Sequence, residues 1–143
     1  MLEINRVVLE QGKEKTFATA IDWPGWSRSG NSGDDAMRVL AEYTGRYQVI
    51  ADMAGVVGFD EASSSLVVVD TLTGNSTTDF GAPDKISAID HEPMSTDECE
   101  RQLALLQACW TFFDEIAARV SAELRDEPLG GGRDRDEIRK SVV

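Results

Sequence analysis

The feature that most constrains the fold is a long apolar pattern that begins at Thr96 and ends at Leu124. Its apolar residues recur at alternating spacings of four and three, which is the period of one face of a helix. The main row consists of Cys99, Leu103, Leu106, Trp110, Phe113, Ala117, Val120 and Leu124, and a shorter flanking row consists of Leu105, Cys109, Phe112 and Ile116. The pattern predicts a long helix that is apolar over more than half of its girth. Such a helix must be covered on two sides.

The N-terminal part of the chain has the pattern of a small β-sheet. Residues Glu3–Glu10 and Lys15–Ile21 are β-like runs, and the loop between them contains a glycine and has hairpin length. The sequence Trp-Pro-Gly-Trp follows at residues 23–26, and its proline and glycine suit the two central positions of a type II turn. We therefore expect the chain to reverse there and to return as a short third strand over residues 26–28.

A helix is predicted to begin shortly after this turn. The Ser32 hydroxyl can accept a hydrogen bond from the backbone N–H three residues on, and Asp34 and Asp35 fall in the first turn, where the helix dipole favours negative charge. Apolar residues then follow at spacings of four and three. They predict a helix from Gly33 to about Ala54, although a glycine inside it weakens the pattern.

The next part of the chain contains one more predicted strand and a connector. Residues Ser63–Asn75 hold a four-residue apolar run between polar residues, which is typical of a buried strand. Residues 77–83 are consistent with an additional edge strand, and residues 84–95 are polar and contain a proline. After the long helix, a break at Pro128 predicts a short polar helix at the C-terminal end.

These elements predict an α+β fold: a small antiparallel sheet of β-β-β-α-β order, followed by a long helix and a short C-terminal helix. The expected domain organisation is an α+β domain over residues 1–83, a connector over residues 84–95, and a helical extension over residues 96–143.

The order of elements in residues 3–75 resembles the HicB-like antitoxin fold. In that family a strand enters an Asp-x-Pro-Gly turn, a loop of small residues follows, and an acidic pair opens the helix. The residues that carry the resemblance are Phe17, Ala18, Ala20, Asp22, Pro24, Gly25, Gly30, Asp34, Asp35, Ala36 and Leu40. The resemblance implies a protein that binds a small basic ribonuclease toxin and blocks it. The DNA-binding tail found in many members of the family has no recognisable counterpart here.

The C-terminal residues 103–143 resemble the first helices of a DinB-like bundle, in which a long helix ends in a Leu-x-x-x-Pro-x-Gly stretch. In that family the second helix soon supplies the first of three metal-binding histidines. No such histidine occurs in this stretch, and the single histidine, His91, lies in the connector. The metal site of that family therefore cannot be transferred to this sequence.

The charge of the chain argues against nucleic acids as partners. Its 14 Lys and Arg residues stand against 26 Asp and Glu residues, for a net charge of −12, whereas DNA- and RNA-binding proteins neutralise phosphates with clustered basic residues. No run reaches the ~18 apolar residues that a spanning helix needs, and the N-terminus lacks the layout of a signal peptide. We expect a cytoplasmic protein that binds neither nucleic acid nor a membrane directly.

No group of residues predicts a catalytic, cofactor or metal site. Asp22, Asp34, Asp35 and Asp52 could hold a divalent ion only if several of them converged on it, and the first three already have roles in a turn or a helix start. The two cysteines lie ten residues apart on the predicted helix, which separates them by about 15 Å and prevents a disulfide between them. We expect both to be reduced core residues.

A protein partner is the remaining possibility, because a three-stranded sheet can hardly cover both sides of the long helix. We expect a homodimer through residues 103–120, and we expect one tryptophan of the turn to be buried and the other exposed. The candidate partner-binding residues are Trp23, Trp26, Arg28, Leu105, Phe112 and Ile116. The predicted function is a non-catalytic, HicB-like interaction module that binds itself or a small basic protein. The alternative is a shortened or fragmentary relative of a DinB-like metal-dependent enzyme.

Overall fold

The computed structural model describes residues 4–120. The chain divides into two compact units, residues 1–109 and 110–143, and the division falls within the last helix. The strands are β1 (Arg6–Gln11), β2 (Thr16–Ala20), β3 (Ser27–Gly30) and β4 (Val67–Thr73). The helices are α1 (Gly33–Glu42), α2 (Thr44–Ala54), α3 (Phe59–Ser63), α4 (Ser76–Phe80) and α5 (Thr96–Arg119), with a 3₁₀ turn at Ala88–His91. This content confirms the predicted α+β class. The predicted C-terminal helix lies outside the described residues.

The four strands form one mixed sheet in the order β3-β2-β1-β4. The first three strands are antiparallel neighbours, as expected from the hairpin pattern. The fourth strand differs from the prediction in two ways. It pairs with β1 in parallel, and its apolar run is not buried, since Val67, Val68 and Val69 are 39% to 50% exposed. Residues 31–66 separate β3 from β4 and contain three helices, so the connection is long enough to bring β4 in with parallel direction.

The central strand β1 is buried on both sides, from Val7 to Glu10. The start of helix α1 lies against one side, where Gly33 allows a close approach, since a Cβ there would lie 3.2 Å from the Leu9 side chain. On the other side the buried Glu10 carboxylate accepts hydrogen bonds from the Thr78 hydroxyl at 2.6 Å and from the backbone N–H groups of Asp84 and Lys85 at 2.9 and 2.7 Å. The first residues of the predicted connector therefore lie against the sheet.

Two local predictions were wrong, and capping explains one of them. Residues 77–83 do not form an edge strand, because α4 begins at Ser76. The Asn75 side chain accepts from the Thr77 and Thr78 backbone N–H groups, and the Thr78 hydroxyl accepts from the Asn75 N–H, which is a complete capping box.

The predicted helix from Gly33 to Ala54 is two helices rather than one. Ser32 caps α1 as expected, since its hydroxyl accepts from the Asp35 N–H at 3.1 Å. The helix then breaks at Tyr43, whose ψ of 7° departs from helical geometry, and α2 begins at the next residue. The break places Tyr43 between the two helices, where its ring contacts the guanidinium groups of Arg28 on β3 and Arg46 on α2.

A second carboxylate fastens α4 to the loop between β1 and β2. The Asp79 side chain accepts hydrogen bonds from the backbone N–H groups of Lys13, Glu14 and Lys15 at 3.1, 2.7 and 3.0 Å. These hydrogen bonds lower the pKa of Asp79 below its ordinary value. The bond from the Glu14 N–H contributes most, and the bond from the Lys15 N–H comes second.

We predict that this carboxylate makes stability depend on acid pH. A carboxyl group whose folded-state pKa is lowered contributes stability that is present above its unfolded pKa of about 3.9 and is lost as the pH falls through the folded pKa. Replacing Asp79 with Asn should therefore lower the free energy of unfolding at pH 7 and flatten its decline below pH 4, measured by urea denaturation. Glu14→Gln, which removes an exposed carboxylate from the same loop, should leave that decline unchanged.

Candidate functional site

The Trp-Pro-Gly-Trp segment forms the tight turn that its sequence predicts. The Trp26 N–H donates to the Trp23 carbonyl at 3.1 Å, and Gly25 adopts a positive φ of 90°. The Ala20 N–H then donates to the Trp26 carbonyl at 3.0 Å, so the returning chain pairs with the strand it left. The turn thus joins β2 to β3 and presents both tryptophans at the end of the sheet.

Both tryptophans are buried, with 0% of Trp23 and 2% of Trp26 exposed. They form an aromatic cluster with Tyr47 of α2 and Phe59 of α3, in which the contacting ring centroids lie 5.0 to 6.2 Å apart. The Trp23 indole N–H donates to the Ile4 carbonyl, and that of Trp26 donates to a carbonyl of α1 at 3.1 Å. The expectation that one tryptophan is exposed is wrong, because each indole N–H has a main-chain acceptor and can be buried without penalty.

Charged groups surround the same turn. Asp22 is buried and accepts from the Arg6 guanidinium at 2.7 Å, an interaction that raises the pKa of Arg6. From α5, the Arg101 guanidinium donates to the Asp22 main-chain carbonyl at 2.5 Å and lies 5.3 Å from the Trp23 ring. Burial lowers the pKa of Arg101, and its Nε–H has no hydrogen-bond partner among residues 4–120. Arg101 therefore links α5 to the turn.

The face of α5 that packs on the turn is the shorter apolar row. Leu105 is fully buried, and the Cys109 thiol lies 3.6 Å from the Pro24 carbonyl oxygen. A Cβ on Gly25 would lie 3.3 Å from the Cys109 sulfur, so this glycine permits the contact. Burial raises the pKa of the Cys109 thiol, which is therefore poorly suited to act as a nucleophile.

The first part of the main apolar row of α5, from Cys99 to Trp110, lies at the surface. Leu103 is 52% exposed and Leu106 is 38% exposed, and Cys99 is exposed as well. Trp110, the first residue of the second unit, is 53% exposed. The sequence shows both rows, but it does not indicate which of them packs against the turn.

The candidate partner-binding residues occupy different environments. Trp23, Trp26 and Leu105 are buried by their own chain and are not accessible in this conformation. Arg28 is exposed on β3, while Phe112 and Ile116 belong to the second unit and are partly exposed.

The acidic residues considered for a metal site serve other purposes. Asp22 binds Arg6, Asp35 binds Arg38, and Asp52 accepts a hydrogen bond from Gln48. Within residues 4–120 no group of three or more His, Cys, Asp or Glu side chains is placed to hold a metal ion. In the same range, none of the helices has the length and apolar character needed to cross a membrane.

We predict opposite effects of alanine at two glycines. Gly25→Ala should lower the free energy of unfolding by about 1–2 kcal/mol, because a side chain is strained at its positive φ. Gly45→Ala in α2, where an added Cβ meets nothing within 4 Å, should be neutral or raise stability by up to about 1 kcal/mol. Urea denaturation of both variants checks this, and equal effects would contradict the role assigned to the turn.

Comparisons with models of known protein families, with curated proteins and with solved structures found no match. The resemblances to the HicB-like and DinB-like families therefore stay predictions. A functional assignment has to rest on the surfaces and charges of the described residues.

Proposed function

We propose that this chain is a non-catalytic, HicB-like interaction module, and that its partner is a second copy of itself bound through α5. The observation that carries the proposal is the apolar surface of that helix. Leu103 and Leu106 remain largely exposed although the opposite face of α5 is already packed on the turn. A helix that is apolar on both faces gains stability when the second face is also covered.

The distribution of charge favours a second copy as the partner. Two chains of net charge −12 repel each other, so they associate best where their contact surfaces carry no charge. Residues 102–113 form such a segment, because none of them is Asp, Glu, Lys or Arg. A two-fold symmetric contact would place this uncharged segment against itself in both copies.

The HicB-like resemblance suggests a different partner, a small basic protein. A basic partner would gain most from acidic side chains at the contact, and the exposed apolar row of α5 offers none in its central part. The uncharged row is better suited to self-association, in which shape and apolar area supply the affinity.

We predict that the chain sediments at twice its monomer mass at tens of micromolar, and that Leu103→Glu weakens the dimer at least about tenfold. A glutamate at that position would place a charge in the apolar contact, and the second copy would bring the same charge to the same contact. Sedimentation equilibrium measures the dissociation constant. Val49→Glu on α2 is the matched control, since it makes a similar change at another exposed aliphatic residue and should leave the dimer intact.

A monomeric wild-type protein, or a dimer that Leu103→Glu leaves unchanged, would contradict self-association through α5. Metal analysis of the same preparation tests the enzyme alternative. Stoichiometric zinc or nickel retained through purification would favour the DinB-like metal-dependent enzyme over the interaction module.

A further inference from the structure

Two of the six arginines among residues 4–120 differ from the others in having no polar partner. Arg6 and Arg38 form ion pairs with carboxylates, and Arg101 and Arg119 donate to main-chain carbonyls. In this part of the chain the side chains of Arg28 and Arg46 have neither a hydrogen bond nor an ion pair, although the protein is strongly acidic. Their guanidinium donors are therefore available to a ligand.

These two arginines lie against the same aromatic ring. The guanidinium carbon of Arg28 is 3.8 Å from the centroid of the Tyr43 ring, and that of Arg46 is 4.8 Å from it. Arg28 comes from β3, Tyr43 from the break between α1 and α2, and Arg46 from the first turn of α2. Contact with the ring favours the charged guanidinium and restricts its motion, which lowers the entropic cost of binding an anion.

The nearest candidate for an internal partner is already engaged. Glu42 lies four residues before Arg46, a spacing at which ion pairs form on helices. Its carboxylate instead accepts from Arg38 at 2.5 Å. The Tyr43 hydroxyl also has no hydrogen-bond partner among the described residues, so the ring that both guanidinium groups contact carries a free donor.

We propose that Arg28, Tyr43 and Arg46 form a binding site for the phosphate group of a small molecule. A phosphate monoester carries a charge of about −1.5 to −2 at pH 7, which matches two guanidinium groups better than a singly charged carboxylate does. Guanidinium groups bind phosphate oxygens through paired N–H donors, and the tyrosine hydroxyl can donate to a further oxygen. The negative charge of the whole chain opposes any anion, which limits the affinity to a Kd on the order of 1 mM.

The test is an NMR titration of the ¹⁵N-labelled full chain with inorganic phosphate at constant ionic strength, read at the arginine Nε–Hε signals. We expect saturable shifts of the Arg28 and Arg46 signals and a stationary Arg38 signal. Arg46→Gln should weaken binding at least about tenfold, because it removes a charge-assisted contact. Tyr43→Phe keeps the ring and removes only the hydroxyl donor, so it should weaken binding by a smaller factor.

Arg119→Gln is the matched control, since it removes the same charge from an exposed arginine that donates to a main-chain carbonyl of its own helix and releases no carboxylate. It should leave phosphate binding unchanged. The titration is repeated with adenosine monophosphate. Tighter binding than that of inorganic phosphate assigns the site to a phosphate monoester, and equal binding assigns it to the free anion. The proposal is overturned if Arg28 and Arg46 show no saturable shift, or if Arg119→Gln weakens binding as much as Arg46→Gln. Neither result depends on whether α5 forms a dimer.

Discussion

The fold of residues 4–109 depends on the burial of two tryptophans at one tight turn. A buried indole needs an acceptor for its N–H, and Trp23 and Trp26 donate to main-chain carbonyls just before β1 and within α1. Ring contacts with Tyr47 and Phe59 bring α2 and α3 to the same place. Because Gly25 has no side chain, α5 can also pack there, and the turn contacts four helices as well as the sheet.

Features with a local cause could be predicted from the sequence. The period-two strands, the Pro-Gly reversal, the Ser32 cap and the beginning of α5 at Thr96 each depend on neighbouring residues, and each occurs as expected. The capping box at Asn75 was missed, although its signal is also local: an asparagine precedes α4 and a glycine, Gly81, follows it. The parallel pairing of β4 was not readable in this way, since it depends on the path of a long connection.

The inward face of α5 and the Arg28–Tyr43–Arg46 cluster depend on contacts between distant residues. Spacing alone does not indicate which apolar row of α5 packs against the turn. Arg101 lies on the packed side, where it contacts the Asp22 carbonyl and the Trp23 ring. Arg28 was among the candidate partner-binding residues predicted from the sequence, whereas its contact with the Tyr43 ring, which Arg46 also contacts, could not be predicted from spacing. Two surfaces of the described residues stay exposed beside this buried turn: the first part of the main apolar row of α5 and the unpaired side chains of Arg28 and Arg46.

The most direct test of the buried turn is the solvent accessibility of its tryptophans in a Trp110→Phe variant, which removes the only other tryptophan of the chain. Fluorescence emission and acrylamide quenching of the native variant then report on Trp23 and Trp26 alone. We expect blue-shifted emission and weak quenching, which rises to the level of a free indole only when urea unfolds the protein. Strong quenching of either tryptophan in the native variant would contradict the central position of this turn in the fold.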